Sequence, residues 1–179
     1  MLLCFATMTR RDTLVLATVG LAAAAAGATL APIFMESQAG AAELGSAAYP
    51  DPSGTLRRLA DWRGKVIVCN FWATWCAPCR EEMPLLVTLR ERYLAKGAEF
   101  VGIGIDQMAK IRQFAADFAI TYPLLVAGSD GLDLMRKLRN ESGALPYTVL
   151  ADRKGAIAYR HLGLLKEPDL VREIEAILG

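Results

Sequence analysis

The sequence predicts one α/β domain that follows an apolar N-terminal segment. Over residues 50–179, short apolar runs of strand length alternate with helical segments, a pattern typical of a central mixed sheet flanked by helices. The run KVIVCNFWA is apolar almost throughout, as expected for a strand buried on both faces in the middle of a sheet. A chain of 179 residues is long enough for one such domain and an extension.

The segments of the domain are predicted in the following order. Turn residues at 52–54 indicate a short N-terminal hairpin, which leads into the buried strand KVIVCNFWA and a helix over about 76–96. The strand EFVGIGID, an amphipathic helix with Ile111 and Phe114 on one face, the short strand YPLLVA and the weaker helix GLDLMRKL come next. A hairpin of YTVLAD and AIAYRHLG and the helix EPDLVREIEAIL close the chain.

Residues 1–36 predict a signal or membrane-anchor segment. Arg10 and Arg11 precede a run from Thr13 to Met35 that contains no charged residue. This run is longer than a usual signal-peptide core and meets the roughly 20 residues that a spanning helix needs. Its length favours an uncleaved anchor in the inner membrane. Cleavage after small residues, which would release a chain starting near Ala42, is the alternative.

The basic end of the segment is expected to stay in the cytoplasm, which places the domain in the periplasm or outside the cell. Residues 37–49 are small and polar without periodicity, so they predict a linker before a domain at 50–179. The 20 Lys and Arg residues are balanced by 19 Asp and Glu residues. Because nucleic-acid-binding proteins usually carry a basic excess, no nucleic-acid partner is expected.

Two cysteines, Cys76 and Cys79, stand where the buried strand gives way to a helix. Unpaired N–H groups and the partial positive charge at the start of a helix favour a thiolate at Cys76. Cys79 lies one turn later on the same face. This spacing closes a small disulfide ring that can open and re-form without moving the fold.

Other uses of the two cysteines fit the sequence less well. A structural zinc site needs four ligands, but His161 is the only histidine, Cys4 lies in the leader and Cys69 lies inside a strand. A structural disulfide at an exposed helix start would constrain little chain. A peroxidase motif would require Pro and Ser or Thr at the positions of Cys69 and Ala73. A redox-active dithiol without metal or cofactor is therefore favoured, with Cys69 as a core residue and His161 as a structural or surface residue.

The segments VCNFWATWCAPCREEMP and Leu145-Pro146-Tyr147-Thr148, together with the export segment, resemble the thioredoxin superfamily. They are most similar to its TlpA/ResA/DsbE-type branch of membrane-anchored periplasmic thiol-disulfide oxidoreductases, over roughly 50–179. The resemblance implies a thioredoxin-like fold with an N-terminal hairpin and a central insertion before Leu145. It also implies a redox-active Cys76–Cys79 disulfide, a cis Pro146 that faces the sulfurs, and backbone contacts from Leu145 to a substrate strand. Trp75, directly before Cys76, is expected to be a surface contact, so the predicted substrate-binding residues are Trp75, Leu145 and Pro146.

Two departures from related sequences bear on the chemistry. Thioredoxin carries a buried Asp six residues before its first active-site Cys, whereas this chain has Asn70 there. Glu82, one turn beyond Cys79, is expected to serve as the proton acceptor, unless Glu81 and Glu82 are simply solvated. The dipeptide between the cysteines lacks the His of strongly oxidising relatives, which predicts a reductant or a mild oxidant.

The predicted function is thiol-disulfide exchange on exported proteins. The resemblance suggests apocytochrome c or a copper-site protein as substrate, and a membrane-embedded thiol transporter as the electron donor. The alternative is a non-enzymatic copper-binding module that uses the dithiol as a soft ligand pair. The absence of a Met or His pair at ligand spacing counts against that alternative.

Overall fold

The structure of the protein is a computed structural model that describes residues 40–179. The predicted anchor at 1–36 lies outside the described residues. Within residues 40–179, no helix has both the length and the apolar character needed to cross a membrane.

A five-stranded mixed sheet forms the centre of the domain. Its strands are β3 (Val66–Trp72), β4 (Ala98–Gly104), β5 (Leu124–Val126), β6 (Tyr147–Ala151) and β7 (Ile157–Leu162), in the order β5-β4-β3-β6-β7. β3 is parallel to β4 and antiparallel to β6, and every residue of β3 and β4 is buried. The predicted mixed α/β architecture is therefore confirmed, with the strand KVIVCNFWA in the middle.

Helices cover both faces of the sheet. They are α1 (residues 40–46), α2 (Ala77–Tyr93), α3 (Met108–Asp117), α4 (Asp130–Lys137) and α5 (Glu167–Leu178). α2 and α5 are joined by a hydrogen bond from the Tyr93 hydroxyl to Glu175 at 2.8 Å. α1 and α4 are joined by an ion pair between Lys137 and Glu43 at 2.7 Å. α3, β5 and α4 form the insertion expected between β4 and β6.

A short antiparallel hairpin precedes the main sheet, as the turn residues predicted. It consists of β1 (Ala48–Pro50) and β2 (Leu56–Arg58). Asp51 holds the turn by accepting hydrogen bonds from the backbone N–H groups of Ser53 at 2.9 Å and Thr55 at 3.0 Å. The hydrogen bond from the Ser53 hydroxyl, together with these backbone bonds and one from Arg57, holds the pKa of Asp51 down at about 2.

The predicted linker at 37–49 is wrong from residue 40 onward. Residues 40–46 are helical, Leu44 is buried in the core, and Ala48 and Tyr49 belong to β1. The sequence of this stretch shows no amphipathic repeat, because Leu44 is the only large apolar side chain among alanines and glycines at 40–46. Alanine is nevertheless the best helix former, and burial of Leu44 together with the ion pair between Glu43 and Lys137 holds the helix on the domain.

Candidate active site

The two cysteines form a disulfide at the first turn of α2. The sulfur atoms of Cys76 and Cys79 are 2.06 Å apart. Cys76 is the N-cap of the helix, and its Sγ accepts a hydrogen bond from the backbone N–H of Cys79 at 3.3 Å. Cys76 keeps 6% of its surface exposed, whereas Cys79 is fully buried. The more exposed of the two cysteines is therefore the one whose sulfur the helix N-terminus stabilises as a thiolate.

The loop before the disulfide is fixed to the end of β4. The Thr74 hydroxyl bonds the carboxylate of Asp106, and the backbone N–H of Ile105 donates to the Trp72 carbonyl at 2.8 Å. Burial alone would raise the pKa of Asp106, but hydrogen bonds from Thr74 and the Gln107 amide lower it. The loop that carries Cys76 is thus held on a buried strand rather than left free.

The predicted substrate contacts lie at the same end of the sheet as the disulfide. The Leu145–Pro146 peptide bond is cis, the geometry that the resemblance implies. Pro146 directly precedes β6, whose Tyr147 pairs with Phe71 near the end of β3. Leu145 is half-buried, and Trp75 is 66% exposed. An exposed tryptophan next to the accessible sulfur gives a partner protein an apolar surface to contact.

Glu82 is buried rather than solvated. Its Oε1 accepts a hydrogen bond from Asn70 Nδ2 at 2.7 Å, and its Oε2 accepts one from the backbone N–H of Leu165 at 3.0 Å. Asn70 Nδ2 also donates to Thr148 Oγ1 at 3.0 Å. Burial raises the pKa of Glu82 to about 7, although the hydrogen bonds from Leu165 and Asn70 oppose that rise. A carboxyl group with this pKa can take up and release a proton at neutral pH.

Sequence reasoning assigned no role to Thr148 or Leu165, and it treated Asn70 only as a missing acid. In the structure Asn70 and Thr148 are register partners on β3 and β6, and both side chains are buried. Leu165 approaches Glu82 from the loop before α5, which is remote in sequence. The one feature of the sequence that points to a role for Asn70 is its position six residues before Cys76. A side chain at that strand position lies beneath the helix that the cysteines begin.

Among the described residues, one further cysteine and one histidine border this cluster without a recorded hydrogen bond to Glu82: Cys69 precedes Asn70 on β3, and His161 is the register partner of Thr148. Cys69 is a free, fully buried thiol, and burial raises its pKa. The ring of His161 is half-buried between the Tyr159 hydroxyl and the Leu164 carbonyl, each at 3.2 Å. Within residues 40–179, no three His, Cys, Asp or Glu side chains come together as a metal site.

The chain matches the Redoxin family over residues 38–178. It belongs to that family. The redoxin domain is 34% identical over 128 residues to the thiol-disulfide oxidoreductase ResA of Geobacillus kaustophilus, covering 71% of each chain. It is 32% identical over 127 residues to the thioredoxin-like protein YneN of Bacillus subtilis, covering 69% of this chain and 71% of that protein.

Solved structures agree with this assignment. A thiol:disulfide interchange protein of the thioredoxin family from Chlorobium tepidum superposes with a TM-score of 0.65 and 27% identity, covering 75% of this chain and 94% of that one. The fold is therefore thioredoxin-like, and the redoxin is a thiol-disulfide oxidoreductase. These relatives favour the enzyme over the copper-binding module.

The buried carboxyl group predicts a pH-dependent stability. Between pH 4.5 and 7 the folded state holds a proton on Glu82 that the unfolded state has lost, because the folded pKa is raised from 4.5 to about 7. The unfolding free energy should fall as the pH rises through this window, by up to about 3 kcal/mol from this group. Urea unfolding of the oxidised protein at several pH values measures the slope, and Glu82→Gln should flatten it. An equal slope in Glu82→Gln would assign the effect to other groups.

Proposed function

We propose that the protein reduces disulfide bonds of exported proteins, with Cys76 as the nucleophile and Cys79 as the resolving residue. The observation that carries this assignment is the difference between the two residues: Cys76, the N-cap of α2, keeps 6% of its surface exposed, and Cys79 is fully buried. Trp75, Leu145 and Pro146 are the proposed substrate contacts around the Cys76 sulfur.

The reaction is a two-electron exchange. The Cys76 thiolate attacks one sulfur of the substrate disulfide, which forms a mixed disulfide and releases the other substrate sulfur as a thiolate. The Cys79 thiolate then attacks Cys76 Sγ, which releases the second substrate thiolate and leaves the Cys76–Cys79 disulfide. The two released thiolates take up protons, so the substrate gains two electrons and two protons in all. A membrane-embedded thiol transporter is the proposed donor that reduces the enzyme again.

Glu82 is the proposed general base for the second step. Cys79 must lose its proton to attack, and Glu82 lies one helical turn further along α2 with a pKa of about 7. Asn70 and the Leu165 amide orient the carboxylate and limit how far burial raises its proton affinity. Ala77 and Pro78 between the cysteines supply no extra charge to hold a thiolate, which supports a reducing direction. Apocytochrome c and copper-site proteins are the proposed substrate classes.

The proposed location is the periplasm, with the chain tethered to the inner membrane through Thr13–Met35. Support comes from the charge order of that segment and its uncharged length. A disulfide-exchange site of this kind also suits a compartment where substrate proteins carry disulfides.

Substitution of each cysteine should separate the two roles. Cys76→Ser should abolish reduction of a protein disulfide, because no accessible thiolate remains to attack. Cys79→Ala should accumulate mixed disulfides, since nothing then releases the partner. Non-reducing electrophoresis of cell extracts, followed by mass spectrometry of the adducts, measures both outcomes. Cys69→Ala is the matched control and should keep activity. Recovery of covalent partners from Cys76→Ser would reverse the assignment.

Replacement of Glu82 should slow the resolving step. General-base assistance is typically worth about 10²-fold or more, so Glu82→Gln should slow release of the mixed disulfide by about that factor. The wild-type rate should rise as the pH passes through about 7, where Glu82 ionises, and this rise should disappear in Glu82→Gln. Stopped-flow fluorescence of Trp75 follows the reaction. Glu81→Gln removes the neighbouring exposed carboxylate and should leave the rate of mixed-disulfide release unchanged. If Glu82→Gln releases the mixed disulfide as fast as Glu81→Gln does, Glu82 is not the general base.

The topology is tested with a C-terminal alkaline phosphatase fusion and N-terminal sequencing of the mature chain. The expected result is an active fusion in the membrane fraction that keeps Thr13–Met35. A mature chain that begins near Ala42 would show that the tether is removed. An inactive fusion, with the domain in the cytoplasm, would contradict the proposed substrates as well.

A further inference from the structure

A second concave site lies at the end of the sheet opposite the disulfide. It is a cavity of about 220 Å³, with apolar walls from Leu44, Leu59 and Ile67. Its rim carries four cationic residues, Arg63, Lys65, Arg153 and Lys154. Lys65 directly precedes β3, and the Trp72 end of β3 leads to the disulfide. Because a strand rises about 3.3 Å per residue, the two sites are separated by about 20 Å.

The positive charges of this basic cavity are mostly unpaired. Lys65 forms an ion pair with the buried Glu99 at 3.2 Å. The structure records no ion pair, within the part of the chain it describes, for Arg63, Arg153 or Lys154. Asp152 is the one acid of the lining, and its carboxylate already accepts hydrogen bonds from the backbone N–H groups of Lys154 and Ala156 at 2.8 and 2.9 Å. The rim is therefore a local cationic patch in a chain whose net charge is only +1.

The cavity also lies where the chain enters the described domain. Ala41, Ala42, Leu44 and Gly45 of α1 form one wall. The uncharged segment proposed as the anchor ends at Met35, so only residues 36–40 separate it from that wall. Chain segments extend by at most about 3.6 Å per residue, so this connection reaches no more than about 18 Å. If the anchor spans the bilayer, the basic cavity is restricted to the neighbourhood of the membrane surface.

We propose that the basic cavity binds the headgroup of an anionic phospholipid, which directs the disulfide end of the domain away from the membrane. The proposal rests on the membrane tether of the proposed function. In this proposal the lipid phosphate is bound by Arg63, Arg153 and Lys154 of the lining, and the glycerol and first methylene groups pack against Leu44 and Leu59. Cations near an anionic bilayer each strengthen binding about five-fold, and a pocket with apolar walls adds burial of the acyl stem. The dithiol then faces the aqueous compartment in which its substrates diffuse.

The test uses the full chain in two kinds of lipid nanodisc, phosphatidylcholine alone and phosphatidylcholine with phosphatidylglycerol. Backbone amide hydrogen exchange is measured by mass spectrometry. Phosphatidylglycerol should slow exchange at 41–45, 60–65 and 152–155, and leave the segment 73–80 unchanged. The variant Arg63→Gln, Arg153→Gln, Lys154→Gln should lose this protection and keep its disulfide-reduction activity. The control Lys110→Gln, Lys166→Gln, Arg172→Gln removes the same charge elsewhere and should keep the protection.

Co-sedimentation with vesicles separates this proposal from the tether. Retention of the full chain on phosphatidylcholine vesicles measures the anchor alone. If the chain is not retained there, the proposed tether is wrong. Binding to vesicles that contain phosphatidylglycerol then reports on the basic cavity alone, and the three-residue variant should bind them about 100-fold more weakly. Equal protection from hydrogen exchange in the two kinds of nanodisc would overturn the lipid site. So would a control variant that loses as much protection as the three-residue variant, or full protection by inorganic phosphate alone.

Discussion

Seven consecutive residues of β3 are buried between a parallel and an antiparallel neighbour, and the candidate site depends on that constraint. A central strand cannot slide or twist without breaking hydrogen bonds on both sides, so the position where it ends is fixed. The loop that follows is then held by Thr74 on Asp106, and α2 begins at Cys76. The disulfide is therefore held on a rigid support, the buried end of β3 and the first turn of α2.

The same strand supplies one of the two hydrogen bonds that partly offset the effect of burial on the pKa of Glu82. A buried carboxylate is costly unless it is hydrogen-bonded, and here it accepts one bond from Asn70 on β3 and one from the Leu165 amide. These two neutral donors offset part of the solvation that the Glu82 carboxylate loses on burial, but they supply no opposite charge. The pKa of Glu82 therefore stays near 7. A lysine or arginine at the same distance would lower the pKa of Glu82 and leave the group ionised at neutral pH. The protein thus gives up stability above pH 7 to keep the group titratable.

Much of the fold could be predicted from the sequence because its strands are long apolar runs and its turns carry Gly, Pro and Asp. The position of Cys76 at the helix start followed from the change of pattern alone. The helix at 40–46 could not be predicted, since it is fixed by burial of Leu44 rather than by an amphipathic period. The hydrogen bonds around Glu82 could not be predicted either, because strand register brings Thr148 to Asn70 and the loop before α5 brings Leu165 to Glu82. Such contacts depend on tertiary pairing, which local sequence does not encode.

A titratable carboxyl group beside a dithiol has a consequence for the direction of electron flow. When Glu82 is ionised, its negative charge disfavours a thiolate on the same helix turn, which opposes the positive end of the α2 dipole. Strong oxidants of this fold type work by stabilising the reduced thiolate, so a nearby carboxylate acts against oxidising power. At the same time the carboxylate can accept the Cys79 proton when the mixed disulfide is resolved. In the proposed mechanism, Glu82 therefore favours reduction of substrates in two ways: its charge destabilises the thiolates of the reduced dithiol, and its carboxylate takes up the proton that Cys79 loses when it releases the product.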